Sequence, residues 1–103
     1  SLIQVRANLS IGKKDTYESS WHTDLDDENS KTAIMYITTC NAKTLLDVEK
    51  EIINVDSVEN RILIFDTDIR HKMISATDTK RRIIINLNYM NKTSDQNIKV
   101  GWI

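Results

Sequence analysis

Five runs of residues that favour β-strands constrain this chain more than any other feature of its sequence. They are rich in Ile, Val, Thr, Tyr and Phe, have the length of a strand and are bounded by polar clusters, and they span Leu2–Leu9, Thr32–Thr39, Asn60–Phe65, Arg82–Tyr89 and Lys99–Ile103. The sequence has no proline and two glycines, so Asn, Asp, Ser and Thr must form most turns through their own side-chain hydrogen bonds. The runs therefore predict a chain that folds mainly into strands.

Weaker extended segments raise the predicted number of strands to about eight, the number of a double-sheet jelly roll. These segments are Tyr17–Thr23, Thr44–Leu46, Glu51–Val55 and His71–Ile74. Apolar residues in Leu45–Ile53 also fit helical spacing, but we favour a strand or a turn there. The sequence predicts an all-β jelly roll with little helix.

Length and composition favour one domain over residues 1–103. A chain of 103 residues is long enough for one hydrophobic core and too short for two. No apolar run approaches the roughly 20 residues of a membrane-spanning helix, so no membrane association is predicted. The formal net charge of -1 gives no support for nucleic acid binding. The single cysteine, Cys40, fits a reducing compartment, and the cytoplasm is the default prediction.

The two histidines, His22 and His71, each lie at the edge of a predicted strand. Residues i and i+2 of a strand point to the same face, so His22 and Asp24 project side by side and could chelate one metal ion. His71 from a neighbouring strand would complete a set of two imidazoles and one carboxylate, which suits non-haem Fe(II). Zinc is also chemically possible, although the helical His-x-x-x-His motif or clear general base usual in hydrolytic zinc sites is not seen in the sequence. The structural alternatives are a surface pair between His22 and Asp24 and a histidine that caps a strand end at His71.

Two arginines, Arg81 and Arg82, open the last long strand. A guanidinium at the start of a buried strand is costly unless it meets an anion, and its planar fork matches a carboxylate. An acidic small molecule is the natural partner, whereas the structural alternative is a pair of solvated residues that discourage edge-to-edge aggregation. Alternation places Arg82 on one face with Ile84, Asn86 and Asn88, and Arg81 on the other. We favour Arg82 because its face is the more polar one.

The order and spacing of these motifs resemble the Fe(II)- and 2-oxoglutarate-dependent dioxygenases, and most of all their prolyl-hydroxylase-like branch. The resemblance runs from Trp21 to Tyr89, which is most of the chain. It consists of His-x-Asp at residues 22–24, a strand at 32–38 that contains Tyr36, a buried strand at 60–66, a distal histidine about fifty residues after the first, and a basic residue about ten residues later. The implied fold is the double-stranded β-helix, the cupin-like form of the jelly roll.

By this resemblance His22, Asp24 and His71 would be the catalytic iron ligands, and Arg82 and Tyr36 would bind the far carboxylate of the cosubstrate 2-oxoglutarate. The implied activity is hydroxylation by O2 of a peptide side chain or a small molecule, with succinate and CO2 as co-products. Thr23 or Asp66 could orient the imidazoles. The family's supporting helices usually precede its first strand, so we expect a minimal domain or one that lacks those helices.

Two other classes of function stay open at the level of the sequence. A cupin-like barrel could use the same ligands to bind a metal for stability or sensing, without oxygenase activity. A structural β-sandwich would bind no metal, and both histidines would be incidental. Loss of the anion-binding arginine would favour the metal-binding barrel over the enzyme.

Overall fold

The strands form two antiparallel sheets in a computed structural model that describes residues 2–12, 14–24, 29–90 and 97–103. The eight strands are β1 (Leu2–Ile11), β2 (Ser30–Tyr36), β3 (Lys43–Val48), β4 (Glu51–Asp56), β5 (Arg61–Asp66), β6 (Arg70–Ile74), β7 (Arg81–Met90) and β8 (Lys99–Trp102). The larger sheet has the order β1-β7-β2-β5-β8, and the smaller has the order β4-β3-β6. The described ranges contain no helix, and so none that could cross a membrane.

Residues 17–22, called the edge segment below, lie along the free side of β6. Bridges join Glu18 to Ile74 and His22 to His71. The predicted strand at Tyr17–Thr23 is thus reduced to two isolated bridges. The reason is local, because the backbone N–H of Met73 donates to the side-chain Oγ of Ser19, at 2.9 Å, instead of to a backbone carbonyl.

With the edge segment included, the strands β1-β7-β2-β5 face the row formed by the edge segment, β6, β3 and β4. Two four-stranded sheets connected in this order form a jelly roll, or double-stranded β-helix, and β8 extends the larger sheet at its edge. The predicted all-β, cupin-like fold is confirmed. The larger sheet pairs strands that are far apart in sequence, because β1 lies beside β7 and β5 lies beside β8.

The core lies between the two sheets. On β2 and β5 the partners Thr32 and Phe65, and then Ile34 and Leu63, point to the same inward face because they lie opposite each other in the ladder. Leu46 from β3 packs against them from the smaller sheet, and it is fully buried. Alternation along each strand therefore produces one shared apolar layer.

The segment Leu45–Ile53 is a hairpin and not a helix, as we favoured from the sequence. β3 ends at Val48, and β4 begins at Glu51. Glu49 has a φ of 55° in the turn between them, which lies in the left-handed region. The apolar residues at helical spacing are distributed over two antiparallel strands.

The inward face of β7 is polar at the end where β7 begins. Arg82 and Ile84 are buried there, and so is Asn88 farther along the same face, whereas Arg81 and Ile83 on the opposite face are exposed. In the register of β1 with β7, Arg6 lies opposite Asn86, Asn8 opposite Ile84 and Ser10 opposite Arg82. These residues of β1 therefore line the same inward face, and one end of the sandwich presents polar side chains where an apolar core would continue.

Gly12 provides a test of the packing between the end of β1 and the loop before β7. A Cβ atom at Gly12 would lie 1.6 Å from the carbonyl oxygen of Thr79, and the N–H of Gly12 donates to the carbonyl of Lys80 at 2.9 Å. Because both contacts are with backbone, Gly12→Ala should lower the free energy of unfolding by about 1–3 kcal/mol, measured by urea denaturation. Gly101→Ala is the matched control, since its nearest neighbour would be the Cγ2 of Ile62 at 3.9 Å. An equal loss in both variants would contradict this account.

Candidate metal centre and the cleft around it

Two backbone hydrogen bonds, one in each direction, bring His22 and His71 together. The N–H of His22 donates to the carbonyl of His71 at 3.0 Å, and the N–H of His71 donates to the carbonyl of His22 at 2.9 Å. Directly opposed residues of an antiparallel pair point to the same face. The ring centroids consequently lie 4.5 Å apart.

Asp24 joins the two imidazoles to form a cluster of three ligand-type side chains, called the His-Asp-His cluster below. The Oδ1 atom of Asp24 is 3.6 Å from Nε2 of His22 and 3.4 Å from Nε2 of His71. One ligand atom from each residue lies within 4.8 Å of the others. The side chains of His71 and Asp24 are buried, and that of His22 is exposed. The structure thus brings together the three residues predicted from the sequence as metal ligands.

Backbone carbonyls determine which ring nitrogen carries the proton in each neutral imidazole. Nδ1 of His22 is 2.9 Å from the carbonyl of Ser20, and Nδ1 of His71 is 3.2 Å from the carbonyl of Ile69. A carbonyl only accepts, so Nδ1 carries the proton in each ring and Nε2 keeps its lone pair. These carbonyls orient the imidazoles, and the side chains of Thr23 and Asp66 make no such contact with Nδ1 of either ring.

The donor set of the cluster fits a divalent cation. Two Nε2 lone pairs and one carboxylate oxygen converge within one small space, and each would be repelled by the others without a positive charge among them. Two imidazoles held by Nδ1–H hydrogen bonds and one carboxylate form the ligand set of non-haem Fe(II) sites. A proton on Nε2 competes with a metal ion for the same lone pair.

Asp24 is the negative charge of the cluster. The hydrogen bond that the protonated form of His71 donates lowers the pKa of Asp24 most, burial opposes this effect, and the positive charges of protonated His71, Arg6 and protonated His22 lower the pKa further. The net direction is downward from the ordinary value of 3.8. The Oδ2 atom is buried and has no hydrogen-bond partner among the described residues, and the Nη2 of Arg6 lies 3.8 Å from it.

The cluster lies in a pocket of about 370 Å³ between the inward face of β1 and β7 and the edge segment with β6. Apart from the cluster, this metal-side pocket is lined by Arg6, Asn8, Thr23, Ile34, Met73, Ile84 and Asn86. A second pocket of about 240 Å³ adjoins it and reaches Arg82. The two share Asn8, Met73 and Ile84, so they form one cleft with the cluster on one side and Arg82 on the other.

Arg82 is buried at 5% exposure, whereas the neighbouring Arg81 is exposed. The Nε of Arg82 lies 3.5 Å from the Oγ of Ser57, and its Nη2 has no hydrogen-bond partner in the described part of the chain. Burial lowers the pKa of Arg82, although an arginine side chain stays protonated in proteins. A buried guanidinium with an unmet donor beside a pocket is the arrangement expected of a site that binds an anion.

Tyr36 lies next to Arg82 but does not line the cleft. The Cζ of Arg82 is 5.9 Å from the centroid of the Tyr36 ring. The hydroxyl of Tyr36 donates to Oγ1 of Thr44 at 2.8 Å, and burial raises the pKa of this hydroxyl. The structure thus places four predicted residues on the cleft and Tyr36 behind Arg82. The cosubstrate contact predicted for Tyr36 stays a prediction.

Two polar residues of the cleft, Arg6 and Asn8, had no role in the sequence analysis, and Asn86 entered it only as a member of the polar face of the last long strand. Arg6 and Asn8 belong to the polar half of an alternating pattern in β1, and Asn86 belongs to that of β7. This alternation could have indicated these residues from the sequence, because residues at i and i+2 share a face of a strand. Which face points inward follows from pairing with distant strands, and the pattern alone does not specify it.

Comparison with known proteins relates this chain to others by its fold alone. No family model matches the chain, and no curated protein matches it in sequence. Among solved structures, it is similar to vicilin from Corylus avellana (hazelnut), with a TM-score of 0.63 and 9% sequence identity. The match covers 95% of this chain and 25% of the vicilin chain, so this chain spans about a quarter of the vicilin chain. The likeness supports the cupin-like jelly roll.

Removal of one ligand tests whether the cluster binds a metal. His71→Ala should weaken binding of Mn(II) by more than about 100-fold, because even changes in residues that only orient metal ligands cost 10- to 100-fold in affinity. Isothermal titration calorimetry at neutral pH measures this change. Asp68→Asn is the control, since Asp68 is exposed in the turn before β6. Equal affinities of the wild type and His71→Ala would show that the cluster binds no metal.

Asp24 should also give the metal-free protein a specific dependence on pH. Its folded-state pKa is lower than its ordinary value, so the ionised carboxylate stabilises the folded chain above about pH 4, and this contribution is lost as the pH falls through the folded pKa. We expect the difference in free energy of unfolding between the wild type and Asp24→Asn to shrink as the pH falls from about 5 to about 2. Urea denaturation in the presence of a chelator measures it. A difference that is constant over this range would contradict the lowered pKa.

Proposed function

We propose that this chain is an Fe(II)- and 2-oxoglutarate-dependent dioxygenase that hydroxylates a peptide side chain or a small molecule. One observation carries the proposal: the His-Asp-His cluster and the buried, incompletely paired Arg82 face a single cleft. A metal-binding cluster alone would support many functions. A buried cation in the same cleft adds a requirement for an anionic ligand, and 2-oxoglutarate satisfies it because it carries a carboxylate at each end.

The residues of the cluster would hold the metal through Nε2 of His22, Nε2 of His71 and the carboxylate of Asp24. Three protein ligands leave further coordination positions to other molecules. Ferrous iron, when bound, would supply the activation of O2 and the oxidative decarboxylation of 2-oxoglutarate to succinate and CO2 on which hydroxylation depends. The carbonyls of Ser20 and Ile69 keep both rings in the tautomer that can bind a metal.

Arg82 would bind the far carboxylate of the cosubstrate. Its unmet Nη2 donor provides a charge-assisted hydrogen bond, which is about twice as strong as a neutral one. Around Arg82 the cleft is lined by side chains that carry hydroxyl groups, namely Ser10, Tyr17, Ser19 and Ser75. For Tyr36 to contact the same carboxylate, its hydroxyl would have to give up the hydrogen bond that it donates to Thr44.

Apolar side chains would keep water away from the reacting groups. Ile84 and Met73 belong to both pockets, and they separate the cluster from Arg82 along the cleft walls. Ile34 adds a buried apolar surface beside the cluster. Exclusion of water strengthens the electrostatic interactions of the bound cosubstrate.

The main alternative is a cupin-like barrel that binds a metal without oxygenase activity. It would use the same cluster and has the same fold. It gives no role to the buried guanidinium of Arg82, which would keep an unmet donor at a cost in stability. For this reason we favour the dioxygenase.

Anaerobic titration tests the proposal directly. Addition of Fe(II) and then 2-oxoglutarate should produce the weak visible charge-transfer band of the chelate, and admission of O2 should release succinate. Arg82→Gln should weaken 2-oxoglutarate binding by about 10- to 100-fold, as expected for loss of a charged hydrogen-bond partner. Arg81→Gln, on the outward face of the same strand, should have no effect.

The other outcomes separate the alternatives. Binding of Fe(II) without a band and without any response to 2-oxoglutarate would contradict the dioxygenase and favour the metal-binding barrel. Absence of Fe(II) binding to folded protein would favour the structural β-sandwich.

A further inference from the structure

Arg6 is the second guanidinium that faces the cleft, and the function proposed above gives it no role. It lies on the inward face of β1 and lines the metal-side pocket, and its side chain is 45% exposed. Its Nη2 is 3.8 Å from Oδ2 of Asp24, whose other oxygen faces the two imidazoles. This separation is too long for a hydrogen bond, so the guanidinium has donors to offer within the pocket.

We propose that Arg6 forms a second carboxylate-binding site, at the metal side of the cleft, and binds the carboxylate next to the keto group of a 2-oxo acid. The inference rests on the proposed function, because that function supplies the acid. Arg82 would bind one end of 2-oxoglutarate and Arg6 the other.

The charges around the cluster favour this assignment. Asp24 is the nearest anionic group to Arg6 among the described residues that line the cleft. When a divalent cation binds Asp24, that negative charge is more than neutralised, and Arg6 is then close to a net positive charge. Two like charges beside the same carboxylate repel each other in a partly buried site. An anion that contacts both the metal and Arg6 removes the repulsion, so Arg6 favours a metal-bound carboxylate over the bare metal.

Two amides complete a polar wall around Arg6. Asn86 lies directly opposite Arg6 in the register of β1 with β7, and Asn8 follows on the same face. Both line the metal-side pocket. Amide N–H groups beside a guanidinium are donors suited to the oxygens of a 2-oxo acid. The cleft thus has donors at both ends, with apolar Ile84 and Met73 between them.

A purely structural role for Arg6 predicts a different behaviour. If Arg6 served only to hold Asp24 in place, its removal would weaken metal binding and leave the preference among organic acids unchanged. If it binds the acid, its removal should strengthen binding of the bare cation and weaken binding of the acid. The two roles therefore predict opposite changes in the affinity for the bare cation when Arg6 is removed.

Calorimetry with Mn(II), first alone and then followed by 2-oxoglutarate, measures both changes. For Arg6→Gln we expect Mn(II) alone to bind severalfold more tightly, because a nearby positive charge is removed. We expect 2-oxoglutarate to bind the Mn(II)-loaded protein about 10- to 100-fold more weakly. Arg6→Lys keeps the charge, so it should leave Mn(II) affinity unchanged and reduce 2-oxoglutarate affinity by less. Arg81→Gln on the outward face is the matched control and should change neither.

Pyruvate separates the two ends of the cleft because it has the keto acid group and lacks the second carboxylate. Arg6→Gln should weaken pyruvate binding to the Mn(II)-loaded protein, and Arg82→Gln should leave it unchanged. Unchanged pyruvate and 2-oxoglutarate binding in Arg6→Gln, with wild-type binding intact, would overturn this inference alone. If the Mn(II)-loaded wild type binds neither acid, the proposed function fails and the inference fails with it.

Discussion

The site depends on a single backbone pair between His22 and His71. Two hydrogen bonds, one in each direction, fix this pair at the edge of the smaller sheet. This backbone pairing places the two imidazoles close together without help from side-chain contacts, because opposed residues of an antiparallel ladder share a face. Asp24 follows His22 by two residues, and its carboxylate lies close to both rings. The placement of the three residues of the His-Asp-His cluster therefore follows from strand register.

Alternation in β7 and β1 produces the other half of the cleft. The inward row of β7 contains Arg82 and Asn86 where an ordinary sandwich would place apolar residues, and the inward row of β1 adds Arg6. Burial of such groups is costly unless they meet hydrogen-bond partners or opposite charges. The fold tolerates them because the apolar layer around Leu63 and Phe65 is complete without them. The apolar core and the polar cleft thus adjoin between the same two sheets and share Ile34 and Ile84.

Local patterns in the sequence predicted the strands, the preference for a strand or turn over a helix within Leu45–Ile53, and the inward position of Arg82, since all of these follow from the period of two along a strand. The three cluster residues were predicted from residue type, order and a family resemblance. Arg6 was missed, and so were the carbonyls that orient the rings. Both depend on which distant strands are neighbours, and that is decided by long-range pairing. The interrupted pairing of the edge segment depends on one serine side chain, which no strand pattern reveals.

Strand parity also has a consequence for how related chains should be compared. The connection at residues 75–80 lies between β6 and β7, so an inserted residue there would lengthen a loop and leave both ladders in register. The same insertion within β7 would turn every following side chain to the opposite face, moving Asn86 out and Leu87 in. The number of residues between the distal histidine and the arginine can therefore vary without moving the arginine to the other face of β7. What must stay the same is the face of β7 on which the arginine lies, because only the inward face lines the cleft.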